Sequence, residues 1–251
     1  MLRDRRGRIT SFDVPGARGT EASDINDRGQ IVGTYSEDTP IVNDSARPRA
    51  YVLDRFGRGK FTRIDFPGAR VTVAAGVNNR GQVVGGYLDA QGTPHGYRWD
   101  KRRFTTIDVP GSSGTMVGDL NDRGEIVGVY SDDPNDPTGT TEAHGFLLSR
   151  GDFTTFDAPG VAFTQPSKIN NRGQIVGSTL SEPALMDFHG FLLAEGVEGD
   201  FTPIDFPGAP RTVAVGINDR AQIVGAYENP DAAPDREPSP MEMPMMMMSS
   251  P

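Results

Sequence analysis

The chain has 251 residues, with 25 basic and 34 acidic side chains, a net charge of −9 and no cysteine. That charge balance argues against a nucleic-acid backbone as partner, and the absence of thiols excludes disulfides, thiolate metal sites and thiol nucleophiles. Gly and Pro fill 31 and 20 positions against 35% hydrophobic residues, a composition of tight turns between short strands in which no apolar run is long enough to span a bilayer as a helix.

At the start of the chain, Met1-Leu2 meets Arg3-Asp4-Arg5-Arg6 at once. As written this carries no signal peptide, and the expectation is a cytoplasmic protein. Next comes Arg8–Asp13, read as a strand that ends in an Asp-x-Pro-Gly turn. The same turn returns at Asp65, Asp108, Asp157 and Asp205, and thirteen residues after each Asp stands the first Asn of an Asn-(Asp/Asn)-Arg-(Gly/Ala)-(Gln/Glu) element, at Asn26, Asn78, Asn121, Asn170 and Asn218. A third element, His-Gly-(Phe/Tyr), appears at His95, His144 and His189, with Arg49-Ala50-Tyr51 in the matching slot. Successive units are 52, 43, 49 and 48 residues apart, so a fixed core recurs while the loops vary.

Each unit reads as four strands. The first is Thr-x-Ala-x-Gly-Ile-Asn-like, as in Thr72–Asn78, and the second is Gln-Ile-Val-Gly-x-Tyr, as in Gln30–Tyr35. The third begins at His-Gly-Phe, and the fourth is Phe-Thr-x-Ile-Asp, as in Phe153–Asp157. In the fourth strand Phe and Ile are expected on one face and Thr on the other. Pro-Gly should form a type II turn, and Gly29, Gly81, Gly124 and Gly173 the left-handed position of the first hairpin, where the last unit has Ala221. Four short strands per repeat predict an all-β, five-bladed β-propeller with four-stranded blades. The last unit stops after Tyr227, and the chain begins with a stub of a third strand and a whole fourth one. Residues 1–227 are therefore expected to form one propeller whose last blade is closed by both termini. Residues 228–251 hold five acids against one Arg and six of the nine Met, and read as a disordered Met/Pro-rich tail. Its methionines could hold copper(I) as soft ligands, but without His or Cys beside them the low-complexity reading is preferred.

Gly76-Val77-Asn78-Asn79-Arg80-Gly81-Gln82-Val83-Val84-Gly85 and His144-Gly145-Phe146-Leu147-Leu148 resemble the HAF-type repeat, with Gly in place of Ala after each His. The resemblance extends through nearly all of residues 9–227. It implies a repeat family described as extracellular, of undefined biochemical role, and it contributes no catalytic residues.

Candidate chemistry is sparse. Asp24-x-Asn26-x-Arg28 and Asp119-x-Asn121-x-Arg123 open like calcium loops, but calcium needs an oxygen ligand where Arg stands. His95, His144 and His189 share one repeat slot. In neighbouring blades such positions stand roughly 18 Å apart, whereas zinc ligands lie about 2 Å from one ion, so no shared metal is expected and each His should bond within its own blade. The Asp of Asp-x-Pro-Gly is expected to cap its turn, and Arg28, Arg80, Arg123, Arg172 and Arg220 to pair with neighbours such as Asp27, Asp122 and Asp219, leaving a ring of guanidiniums as an anion site in second place. Where units differ, the slot after the repeated Thr holds Glu21, Val73, Met116, Gln165 and Val213, expected at the channel mouth beside acidic loops Ser36–Ala46 and Ser131–Glu142. Glu21, Met116 and Gln165, with the three His, are the candidate ligand-binding residues. The leading expectation is a monomeric, non-catalytic binding module for a glycan or protein ligand, needing no cofactor or metal. The alternative is a carbohydrate-active enzyme, a glycoside hydrolase or lyase, using Glu21 with Asp132 or Asp133.

Overall fold

Repeated Gly, small residues and β-branched pairs leave the backbone little choice but short strands joined by tight turns. The protein is described from a computed structural model covering residues 1–3, 6–38, 47–54, 59–181, 187–197 and 199–229. Among them there is no helix, and so none long and apolar enough to cross a membrane. Contacts divide the chain into two compact units, Met1–Asp108 and Val109–Pro251.

The first unit opens with a short antiparallel pair, β1 (Leu2–Arg3) and β2 (Ile9–Thr10). Two four-stranded antiparallel meanders follow. One contains β3 (Gly19–Ile25), β4 (Ile31–Ser36), β5 (Arg49–Leu53) and β6 (Phe61–Ile64); the other contains β7 (Val71–Val77), β8 (Val83–Leu88), β9 (Pro94–Asp100) and β10 (Arg103–Ile107). The second unit repeats the pattern. Its meanders are β11 (Gly114–Leu120), β12 (Ile126–Ser131), β13 (His144–Ser149) and β14 (Asp152–Phe156), then β15 (Phe163–Ile169), β16 (Ile175–Leu180), β17 (Phe188–Val197) and β18 (Phe201–Ile204). It ends with the pair β19 (Thr212–Ile217) and β20 (Ile223–Tyr227). Four blades are thus complete, and a fifth is not: the remaining strands form two separate two-stranded sheets. Each terminal segment carries only half of the four-stranded pattern.

Both faces of a blade are buried. Val32, Ala50, Val52 and Ile64 pack against Ala74, Val77, Val83 and Tyr97 of the next blade. On the opposite face Ile31, Tyr35, Tyr51 and Leu53 pack with Phe61, Leu2 and Phe12. The expected common face for the Phe and Ile of the fourth strand is therefore wrong, because residues three apart in a period-two strand point to opposite sides. Each fully buried Val or Ile contributes about 1.5–3 kcal/mol, so both stripes matter. Within each unit this packing is not uniform. Ile25 of β3 is 44% exposed where its equivalent Val77 is 5%, and Val224 of β20 is 64% exposed where Val32 is fully buried.

The turns follow the sequence closely. Gly16, Gly68, Gly111, Gly160 and Gly208 all have positive φ, and Val14, Phe66, Val109 and Phe206 carbonyls accept the closing type II bond from the residue three further on. The repeated Thr then staples each turn: the hydroxyls of Thr20, Thr72, Thr115, Thr164 and Thr212 accept the N–H of Val14, Phe66, Val109, Ala158 and Phe206 at 2.9–3.1 Å. In the first hairpin Ala221 takes φ 58° where four units have Gly at 73–85°, a strain of about 1 kcal/mol. The Gly of each second strand answers a different need: a β-carbon at Gly33 or Gly85 would overlap the carbonyl oxygen of Glu21 or Val73.

One feature links the blades inside each unit. The Asn26 carboxamide accepts the N–H groups of Arg28 and Gln30, and its Nδ2 donates to Gln30 Oε1 and, at 2.8 Å, to the carbonyl of Asn78 in the next blade. Asn121 donates likewise to the Asn170 carbonyl, and Asn170 to that of Asn218. A β-bulge at one slot of every first strand, between Ala22 and Asp24 in β3, re-aims the following side chain. Asp24 accordingly accepts the Val77 N–H and Asp119 the Ile169 N–H, so the residues that open like calcium loops serve as acceptors between blades. The ladder predicts an asymmetry. Asn170 is buried with its cross-blade bond, whereas among the described residues the side chain of the exposed Asn218 bonds only within its own turn. Denaturant melts should show Asn170→Ala costing about 2–4 kcal/mol and Asn218→Ala about 1 kcal/mol; equal losses would deny the ladder its role.

Candidate functional site

At the start of each third strand a His or Arg stands beside the Asp of the following Asp-x-Pro-Gly. His95 Nδ1 lies 3.0 Å from Asp108 Oδ2, with Asp89 Oδ2 3.5 Å from Nε2. His144 Nδ1 lies 3.0 Å from Asp157, with Asp132 3.8 Å from Nε2. His189 is held at 3.1 Å by Asp205 and at 3.2 Å by Asp187. In the first blade Arg49 fills the slot and, with Arg63, pairs with Asp65. Register places Tyr87 opposite His95 and Tyr130 opposite His144, and ring centroids meet at 5.0 and 5.1 Å. Tyr87 also stacks on Phe66 at 3.7 Å, as Tyr227 does on Phe206 at 3.8 Å.

Each His bonds within its own blade, as its sequence slot predicts. The Asp of the turn does not cap it; that task falls to the Thr hydroxyl, which leaves the carboxylate to orient an imidazole or guanidinium. Sequence reading missed Asp89 and Asp187 as second carboxylates, because the loops that supply them share no repeat motif. Asp89 is itself fixed by N–H bonds from Gln91 and Thr93.

Glu21, Met116 and Gln165 occupy equivalent register positions, opposite Thr34, Val129 and Ser178. Glu21 is exposed in the first unit, while Met116 and Gln165 are half-buried in the second. The Glu21 carbonyl accepts the Tyr51 hydroxyl at 3.0 Å, and its carboxylate makes no ion pair among the described residues. In the loop after β12, Asp136 accepts bonds from the Thr138, Thr140 and Thr141 hydroxyls and the Thr141 N–H. Burial alone would raise this carboxyl, but those bonds outweigh it and hold its pKa below the usual value. Most of the Ser36–Ala46 loop and the tail beyond Asn229, with its Met run, lie outside the described residues.

The arginines of the first hairpins differ from expectation. Asp27 is taken by Asn79, through bonds of 2.8 Å in both directions, and Asp122 and Asp219 are taken by Asn171. Arg123 pairs with Glu125 instead, at 2.7 Å.

No protein-family model matches the chain, and no curated protein matches it significantly. Among solved structures it is similar to TolB from Acinetobacter baumannii, with 18% identity and a TM-score of 0.52 over 76% of this chain and 44% of that one. It also aligns with Trypanosoma rangeli sialidase, with 10% identity and a TM-score of 0.44 over 80% and 40% of the two chains. The Aleuria aurantia lectin in complex with alpha-methyl-L-fucoside gives 14%, 0.40, 71% and 58%. The chain spans less than half the length of the first two. At such identities the TolB likeness speaks to the fold alone, which is all-β and propeller-like.

The His189 cluster has a pH signature. Burial would depress His189, but the hydrogen bonds and charges of Asp205 and Asp187 outweigh it and raise its pKa above the ordinary 6.5. A raised folded pKa means stabilisation that is full below the unfolded value and lost as pH rises through the folded one. In an NMR titration His189 should titrate above 6.5, and Asp205→Asn should bring it down; no change on that substitution would detach the pair.

Proposed function

We propose that the chain is a non-catalytic binding module that presents its blade rims to a glycan or protein ligand. One observation carries this reading: the same imidazole–carboxylate cluster recurs at three blade rims, partly exposed, each time with a second carboxylate from a variable loop. A constant polar anchor beside a variable neighbour is how a repeat protein offers several related sites, whose weak affinities add through multivalency. Glu21, Met116 and Gln165 are proposed as further contacts, because the repeat varies there while register keeps the slot. The HAF-type resemblance rests on the motif residues and agrees with a repeat frame. In a glycan panel the protein should be retained without releasing sugars, and Glu21→Gln should weaken retention only in part, because the other rims still bind. Released sugar that disappears in Glu21→Gln would establish the glycosidase alternative instead.

We also propose that the two terminal strand pairs together make a fifth blade. The Leu2↔Thr10 pairing matches Val52↔Thr62 of a third and fourth strand, and Ile223–Tyr227 matches Ile31–Tyr35 of a second. Leu2 and Phe12 already pack against the first blade. By the Val32↔Val52 register, Leu2 would face Val224. In this cysteine-free chain, Leu2→Cys with Val224→Cys should give an intramolecular disulfide on mild oxidation. Only intermolecular crosslinks, or none, would reject closure by the two ends of one chain.

A further inference from the structure

The arginines freed by the asparagine ladder meet other unpaired cations in the first unit. A groove of about 460 Å³ is lined by Arg28, Arg80, Lys101, Arg102 and Trp99, with Gln30, Asp54 and Asp100 between them. None of these four cationic side chains makes an ion pair among the described residues. Asp54 accepts the Gln30 amide at 3.0 Å and Asp100 the Gln82 amide at 3.1 Å. Both carboxylates are thus held by neutral partners, and the cations outnumber them four to two. Trp99, the only tryptophan, is half-buried, packed on one side against the core shared by the first two blades.

The turn that supplies two of the cations is strained. Asp100 pairs with Arg103, so Lys101 and Arg102 form a two-residue hairpin loop, and their φ values are 48° and 66°. Such a loop favours Asn-Gly. The equivalent loop of the third blade, Arg150-Gly151, has Gly at its second position, whereas this blade keeps a second cation there. Backbone strain of this kind collects at functional sites.

Resting on the binding-module reading above, we propose that this groove binds an acidic oligosaccharide. The four cations would take its sulfate or carboxylate groups, and the indole face would stack on a sugar ring. The two amide-held carboxylates accept hydrogen bonds, so they suit a ligand rich in hydroxyl donors rather than a bare polyphosphate. The net charge of −9 repels polyanions elsewhere on the chain and confines them to this surplus.

Trp99 is its own reporter. Its fluorescence should be titrated with a heparin-derived hexasaccharide, an oligogalacturonate, neutral maltohexaose and sodium sulfate. A saturable response to either acidic sugar and none to maltohexaose is expected, weakening by about tenfold or more between 0.05 and 0.5 M salt; which acidic sugar responds identifies the anionic group. Arg28→Gln with Arg80→Gln should weaken that response about tenfold. Lys101→Asn with Arg102→Gly should weaken it too while the melting temperature holds or rises, because Asn-Gly suits the turn. No Trp99 response to either acidic sugar, an equal response to maltohexaose or to sulfate, or full binding by both double variants would overturn the proposal. The same protein is run on the glycan and protein panels. Retention there without a Trp99 response sinks the groove and spares the binding-module reading, and no retention together with no response sinks both.

Discussion

A carboxamide sits at the inner turn of every unit, buried in the first four, and the rest of the structure is arranged around keeping it satisfied. Asn26 uses both oxygen and nitrogen, closing its own hairpin and reaching the carbonyl of Asn78 in the next blade. An unpaired amide there would cost about 1–3 kcal/mol, so the turn fixes the spacing of blades as well as its own shape. The bulge just before it and the small residues of the first strand serve the same close approach. So does the Gly of the second strand, where a β-carbon would overlap a carbonyl.

This demand propagates outward. Since the acidic residue after the ladder Asn is taken by the next blade's Asn, the Arg that follows loses the neighbour its sequence offers. In the third blade Glu125 takes the place of Gln and recovers a partner for Arg123. In the first unit Gln30 and Gln82 stand there instead and bond Asp54 and Asp100, so the Arg side chains remain uncompensated. The same logic applies at the outer strands, where the Thr hydroxyl closes the Pro-Gly turn and releases an Asp to hold His95, His144 or His189.

Charge and packing thus divide between frame and surface. Most residues that recur in all units close turns or fill the two apolar faces of a blade, the hairpin Arg and the Asp of Asp-x-Pro-Gly excepted. Residues that recur in only some of them, such as His against Arg49 or Glu125 against Gln, decide which polar groups are left for a ligand. Packing is uneven between equivalent positions: Ile25 and Val224 are exposed although Val77 and Val32 are covered.

Periodicity by itself determined the strand count per repeat, the turn types, the left-handed position at Ala221 and the pairing of each His within its blade. Those features depend on residues a few positions apart, and local chemistry specifies them. Tertiary structure alone decided what depends on neighbours distant in sequence: which Asp side chains the next blade's Asn consumes and which Arg that frees. It also brought Arg28 and Arg80, more than fifty residues apart, beside Trp99 and a strained Lys101-Arg102 turn. No motif links these residues, because their proximity arises from blade packing and not from any spacing along the chain.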